Sequence, residues 1–240
     1  MHSASRERTQ PLDIIFISYD ESNAEENWLN LKARFPRAKR VHGVKGIAKA
    51  HQQAALKSET HFFYVVDGDN KIRGDFNFDY KAEPLEEDSL YVFRCLNPVN
   101  ELVYGFGAVK IYNKKLLDFS SDKKYVDLAT TVTAQYRIIH QVASETIFFH
   151  TPEEAWRGAF RECAKLAAGT IKREKSKETL ERLEKWCSVK KNTLNADWVV
   201  LGARQGREFV EKRRDDLGKI NNYIWLKEYF NEYAKNRNLY

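Results

Sequence analysis

Residues 61–70 read HFFYVVDGDN. Five apolar or aromatic residues, Phe62 to Val66, run without a break and then give way to Asp67, Gly68, Asp69 and Asn70. A short unbroken run bounded by a turn is the pattern of a strand buried on both faces. That strand ends on two carboxylates, and its neighbours in the chain decide what kind of sheet carries them.

Upstream, DIIFISY (13–19) is a second buried-strand pattern. It leads into DESNAEENWLNLKARF, where Ala24, Trp28, Leu31 and Phe35 recur at helical spacing and Ser22 with Glu25 forms a capping-box pattern. KRVHGV then reads as a short strand and Ile47–Lys57 as a helix. Strand, helix, strand, helix, strand is the order of an α/β fold: a Rossmann-type, mostly parallel sheet with helices on both faces. Ligands of such sheets bind outside the carboxyl ends of the strands. Asp67 and Asp69 sit at that edge, as do Asp20 and Glu21 after the first strand.

Downstream, SLYVFRCLN and LVYGFGAVKIYN read as strands separated by a turn at Pro98 and Asn100. GFGAVK touches a dinucleotide fingerprint but lacks the third glycine and the following helix, and no GxxxxGK[ST] occurs. Thr151, Pro152 and Glu154 mark a helix start, and EEAWRGAFRECAKLAAG should stop near Gly169. From 170 onward the pattern is of charged helices with interspersed Trp, Phe and Tyr, broken by one turn around NTLNAD. Two regions are expected: a sheet domain over 1–169 and a basic helical C-terminal extension over 170–240 packed on it.

Charge divides the chain at the same place. Residues 1–169 hold 23 Lys or Arg and 23 Asp or Glu, whereas residues 170–240 hold 17 and 11, so the whole surplus of +6 is C-terminal. Such a segment suits a polyanion, or is the solvated face of charged helices. No apolar run approaches the roughly 18 residues of a membrane span, and MHSASRERTQP has no apolar leader core, so a cytoplasmic protein without membrane contact is expected. Cys95, Cys163 and Cys187 are scattered with no CxxC pair, which argues for three reduced thiols.

A D-x-D at a strand end puts two hard oxygen ligands on one turn, with Gly68 letting a ligand come close. Mg²⁺ or Mn²⁺ bound through one or two carboxylates plus phosphate oxygens and water suits this geometry; a solvated turn whose Asp residues cap the next segment is the alternative. Lys45, beside glycines at a helix start, is well placed for phosphate. Arg157, Arg161 and Lys165 recur every four residues on one helix. Like charges so spaced repel, and either an external anion or the nearby Glu153, Glu154 and Glu162 would relieve them.

The stretch GIAKAHQQAALKSETHFFYVVDGD, a helix opening after glycine and a buried strand ending in D-x-D, resembles the nucleotide-sugar-binding half of GT-A glycosyltransferases over about residues 12–110. IIFISYDESNAEENW, RFPRAKRVHGVKGI and TPEEAWRGAFRECAKL resemble, more specifically, bacteriophage enzymes that glycosylate hydroxymethylated pyrimidines in DNA. The resemblance implies a GT-A-like fold in which Asp67 and Asp69 hold Mn²⁺ or Mg²⁺ against the diphosphate of a UDP-sugar. It places Ser18, Tyr19, Asp20 and Glu21 beside base and ribose, and Lys45, Lys49 and His51 facing the nucleotide. A further histidine completes the metal shell in many such enzymes, and His150 is the candidate. Arg157 and Arg161 are candidate catalytic cations. Asp127 and Glu145 are candidate bases if the transfer inverts.

Two of these residues also have plainer readings: His51 shares a helix face with Ile47 and suits packing, and His150 suits a carboxylate partner; His42 likewise suits packing. The implied activity is transfer of a glucose- or arabinose-type sugar to the hydroxyl of a 5-hydroxymethylpyrimidine in duplex DNA, by a monomer in the cytoplasm of a phage-infected bacterium. The alternatives are a GT-A transferase acting on a glycan or small molecule, a sugar nucleotidyltransferase using the same turn, and a non-catalytic DNA-binding protein. The last lacks any helix-turn-helix or zinc signature.

Overall fold

The computed structural model describes residues 10–80, 85–105, 108–119, 128–170, 176–189 and 192–236. The opening stretch folds as its pattern implies: β1 (Asp13–Ser18), α1 (Ala24–Arg34), β2 (Lys39–His42), α2 (Ile47–Lys57) and β3 (Phe62–Asp67). β1 pairs in parallel with β2 on one side and with β3 on the other. The unbroken apolar run of β3 follows from burial of both faces. Phe16, Tyr64 and Val66 pack with Leu31, Trp28 and Phe35 around α1, while Ile15, Phe63 and Val65 pack with Ala54 of α2 on the opposite face.

The sheet continues with β4 (Asn70–Ile72), β5 (Ser89–Asn97), β6 (Leu102–Tyr104), β7 (Val109–Asn113) and β8 (Gln135–Thr146). The order is β2-β1-β3-β7-β5-β8-β4, with β6 on β5. β7 is antiparallel to β3 and β5, β6 to β5, and β4 to β8, whereas β8 runs parallel to β5. The sheet is therefore mixed in its pairings, although β1, β2, β3, β5 and β8 share one direction.

Two details differ from the sequence pattern. LVYGFGAVKIYN is not one strand, since β6 and β7 flank a break whose residues 106–107 lie outside the described residues. Ser22 and Glu25 do not form a capping box: α1 has Asn23 at its N-cap with no side-chain cap bond. Ser22 Oγ donates instead to Glu154 Oε2 at 3.0 Å, and Glu25 pairs with Arg40 at 2.6 Å. Tertiary partners for both side chains win over the local cap.

After the short α3 (Leu128–Val132), α4 (Pro152–Ala168) begins and ends where its sequence signals lie. Thr151 accepts from the Glu154 N–H, Glu154 completes the capping box, and Gly169 closes the helix in the left-handed region at φ 65°. α5 (Ser176–Trp186), α6 (Ala196–Arg213) and α7 (Tyr223–Asn236) surround α4. Ala155, Ala159 and Cys163 face Val199, Ala203, Leu183 and Trp186; Trp156 and Phe160 face Phe209, Leu226 and Phe230. Gly202 and Gly206, one turn apart on α6, rest on the carbonyls of Trp156 and Phe160, where an added Cβ would collide with backbone.

All three cysteines are free. Among the described residues, no helix is long and apolar enough to cross a membrane.

Candidate functional site

The carboxyl edge of β1 and β3 gathers three carboxylates. Asp67, the last residue of β3, is fixed by its N–H to Ala108 O at 3.0 Å, and its Oδ2 lies 3.2 Å from the ammonium of Lys110 on β7. The Gly68 carbonyl accepts from Asn27 Nδ2 of α1 at 2.9 Å. A Cβ on Gly68 would stand 2.7 Å from Glu21 Oε2 and 2.9 Å from Ser18 Cβ. Only glycine lets Glu21 lie against this turn. Glu21 folds back to accept the Tyr19 N–H at 2.8 Å. Burial raises its pKa, and the charges of Asp20 and Asp67 add to that.

Asp69 carries the strongest conflict. Burial, then the charges of Asp67 and Glu21, push its carboxyl up to about 7, against a hydrogen bond from Asn70. Asn70 is buried and donates Nδ2 to Asp69 Oδ1 at 2.6 Å. Its own Oδ1 accepts from Ser144 Oγ (3.1 Å) and Thr146 Oγ1 (2.8 Å) of β8, an arrangement in which the amide NH₂ faces Asp69. The Asp69 carbonyl accepts the Ile147 N–H at 2.8 Å, and Asn23 Nδ2 donates to Ile147 O at 2.9 Å. The turn is thus tied to α1 and to the end of β8.

Glu21, Asp67 and Asp69 share this edge with the ammonium of Lys110. The donor set is hard oxygen with excess negative charge, which fits a divalent cation held by one or two of these carboxylates and completed by ligand and water oxygens. Among the described residues, no three His, Cys, Asp or Glu side chains are grouped to hold a metal by themselves.

Next to the turn, Ser18 Oγ is buried, accepts from Arg40 Nε at 3.0 Å and lies 2.9 Å from His42 Nδ1. Arg40 Nη2 also lies 3.4 Å from the same His42 nitrogen, and the direction of the Ser18–His42 bond follows the tautomer of His42. The Arg40 guanidinium also lies over the rings of Phe16 and Trp28. Tyr19 and Ile47 expose about half of their surface. Asp20, Lys45 and Lys49 are exposed, and the space around Gly43 and Gly46 is open.

Other residues singled out from the sequence have surroundings of their own. His51 is 2% exposed, bonds Ile47 O through Nδ1 at 2.9 Å and meets Tyr112 edge-on, a packing role. Arg161 donates to Ile220 O (2.8 Å), Tyr223 Oη (2.9 Å) and Asn221 Oδ1 (3.1 Å). Arg157 pairs with Glu153 at 3.4 Å and lies over the same Tyr223 ring. These arginines join α4 to the segment before α7. His150 is exposed and stacks on Phe149, and Glu145 is 3.4 Å from Arg73 Nη1. Asp127 lies outside the described residues.

Four residues at the edge escape the sequence reading: Asn27, Arg40, Asn70 and Lys110. Only Lys110 leaves a signal, a lone charge within the apolar strand AVKIY.

No family model and no curated protein matches the chain. Solved structures similar to it include a mannosyltransferase, PcManGT from Pyrobaculum calidifontis in complex with GDP-Man and Mn²⁺, at 14% identity over 85% of this chain and 75% of that one (TM-score 0.43). Another is a glycosyltransferase involved in glycosylation of the major capsid of PBCV-1, at 12% identity over 55% and 83% (TM-score 0.37). A third is HddC from Yersinia pseudotuberculosis, at 17% identity over 55% and 70% (TM-score 0.36).

Proposed function

We propose that this chain is a metal-dependent glycosyltransferase that moves a sugar from a UDP-sugar to the hydroxyl of a 5-hydroxymethylpyrimidine in duplex DNA. The observation that carries the donor half is the acidic turn at the carboxyl edge of β3, where Glu21 and Asp69 hold carboxyls raised by burial and by their neighbours. Such a conflict fits a place built to receive a cation. When bound, Mn²⁺ or Mg²⁺ supplies charge neutralisation for the departing diphosphate. Asp67 and Asp69 hold it, and Asn70 keeps the Asp69 carboxylate aimed. Tyr19 and the open face at Gly43 and Gly46 offer the nucleoside an exposed aromatic ring, with Lys45 and Lys49 nearby in sequence.

The acceptor half rests on the resemblance to phage DNA-modifying enzymes and on the C-terminal charge surplus. Among the described tail residues several cations pair along their own helices, as Arg207 does with Glu211 and Lys219 with Asp216. Arg213 and Arg214 are exposed, and Arg214 Nη2 also donates to Ala168 O at 3.0 Å.

Asp67→Asn and Asp69→Asn should each reduce sugar transfer to background while leaving the far-UV spectrum intact, and EDTA should do the same to the unmodified chain. Undiminished transfer in EDTA, or by the double Asn variant, rules out the metal site. Mass spectrometry of nucleosides from treated hydroxymethylcytosine and hydroxymethyluracil DNA identifies acceptor and sugar together. Sugar appearing only on a glycan or small molecule rejects DNA as the acceptor.

A further inference from the structure

Lys110 is the one charged residue of β7, and its side chain is only about a tenth exposed. It stands opposite Val65 of β3 and Val92 of β5, so its stem runs between apolar neighbours and its ammonium emerges two residues along β3, at Asp67. A buried ammonium costs several kcal/mol unless it is paired, and a buried pair adds so little over apolar packing that stability alone does not explain its presence. Nor is the pair isolated, because Glu21 and Asp69 lie within electrostatic reach of the same carboxylate. The ammonium of Lys110 thus pairs with a carboxylate that two further carboxylates, Glu21 and Asp69, also feel.

A divalent cation on Asp67 would remove the partner of Lys110 and set a second positive charge beside it. The ammonium then needs another anion within its reach. In the glycosyltransferase reading, on which this inference rests, the group that arrives with the cation is a diphosphate. A flexible four-carbon stem with three donors can move from one oxygen anion to another.

We infer that Lys110 is a donor-binding residue: its ammonium sits on Asp67 in the ligand-free chain and passes to the diphosphate oxygens when a divalent cation takes that carboxylate. Lys110 therefore has two opposed effects. It competes with the metal when no nucleotide is present, and it holds the nucleotide once the metal is bound.

The test uses the full chain, Mn²⁺ and UDP. Free Mn²⁺ is followed by its EPR signal without nucleotide, and UDP binding is measured by calorimetry at saturating Mn²⁺. Lys110→Gln should bind Mn²⁺ more tightly and UDP more weakly, each by about tenfold, the equivalent of about 1.4 kcal/mol. Lys110→Arg should restore UDP binding to within about threefold of the unmodified chain, since it returns the charge. Tighter Mn²⁺ binding with unchanged UDP affinity marks a purely structural ion pair and overturns the inference. An unmodified chain that binds no UDP with Mn²⁺ overturns the glycosyltransferase reading and the inference with it.

Should Lys110→Gln fail to fold, the Asp67→Asn background decides. There the ammonium is released without metal, so Asp67→Asn should bind UDP in EDTA more tightly than the unmodified chain, and adding Lys110→Gln should abolish that gain. The two charges leave together in the double variant, which preserves folding. A gain that survives the second substitution overturns the inference.

Discussion

At Gly68 a missing side chain lets one carboxylate lie against a turn that already holds two others; at Gly202 and Gly206 a missing side chain lets one helix rest on the carbonyls of another. Both are close approaches that a Cβ would prevent, yet they store opposite things. The sheet edge keeps a repulsion that one lysine only partly offsets. The seam between α4 and α6 is apolar and closely packed, with Trp156, Phe160, Val199 and Ala203 all fully buried around it. Stability is thus expected from the seam and ligand response from the edge, and the comparison can be broken at either place.

The largest effect should come from the seam. Alanine in a helix interior normally gains up to about 1 kcal/mol over glycine, so Gly202→Ala and Gly206→Ala would be stabilising if α6 stood free. Here each added methyl meets backbone that cannot rotate away, and we expect each to lower unfolding stability by about 3 kcal/mol in urea denaturation. A rise in the urea midpoint would show that the two helices do not touch as described.

A smaller effect, of opposite sign, belongs to the edge. The folded-state pKa of Asp69 is raised from 3.8 to about 7. Between those values the folded chain keeps a proton that the unfolded chain has released, so stability falls as pH rises from about 4 through about 7. Allowing for the partial exposure of the side chain, the fall should amount to about 2 kcal/mol. Asp69→Asn should remove that slope, becoming the more stable protein at pH 8 in EDTA and showing no advantage at pH 4. Parallel stability profiles for the two proteins would mean that Asp69 is not in conflict with its neighbours.

The smallest effect concerns the outer surface of the helical layer. Charge reversal at Arg213 and Arg214 leaves the edge untouched, so UDP binding should stay at its original strength. If the layer receives DNA, the slope of log affinity against log salt should shrink by about 2. An unchanged slope would leave the layer with structural work alone. Lys190 and Lys191, which belong to the same basic region, lie outside the described residues.

Much of the fold is legible residue by residue where local chemistry is decisive. Helix α2 spans the residues its periodicity marks, and α4 starts at Thr151 and ends at Gly169 because capping and the left-handed region are local demands. The strand Phe62–Val66 is equally plain, since burial on both faces leaves no polar position in the run. β8 is the counterexample. Its QYRIIHQVASET has no sustained alternation and its first half is largely exposed. It is a strand because β5, between 46 and 49 positions earlier in register, offers a parallel ladder.

The candidate site divides in the same way. Asp67, Asp69, Asp20 and Glu21 are visible in the sequence as carboxylates following strand patterns, and the topology of a β-α-β unit brings them to one edge. Their charge conflict is not visible, because it depends on Gly68 admitting Glu21 to within contact. Nor are Lys110 and Asn70, whose roles arise only when β7 lies against β3 and when β8 supplies the hydroxyls of Ser144 and Thr146. The tertiary structure also gives Arg157 and Arg161 partners around Tyr223 at the far end of the chain, which their spacing on α4 could not reveal. Periodicity, capping and turn chemistry act over a few residues and can be read from order alone. Charge pairing and hydrogen-bond direction act through space, and only the folded chain decides who faces whom.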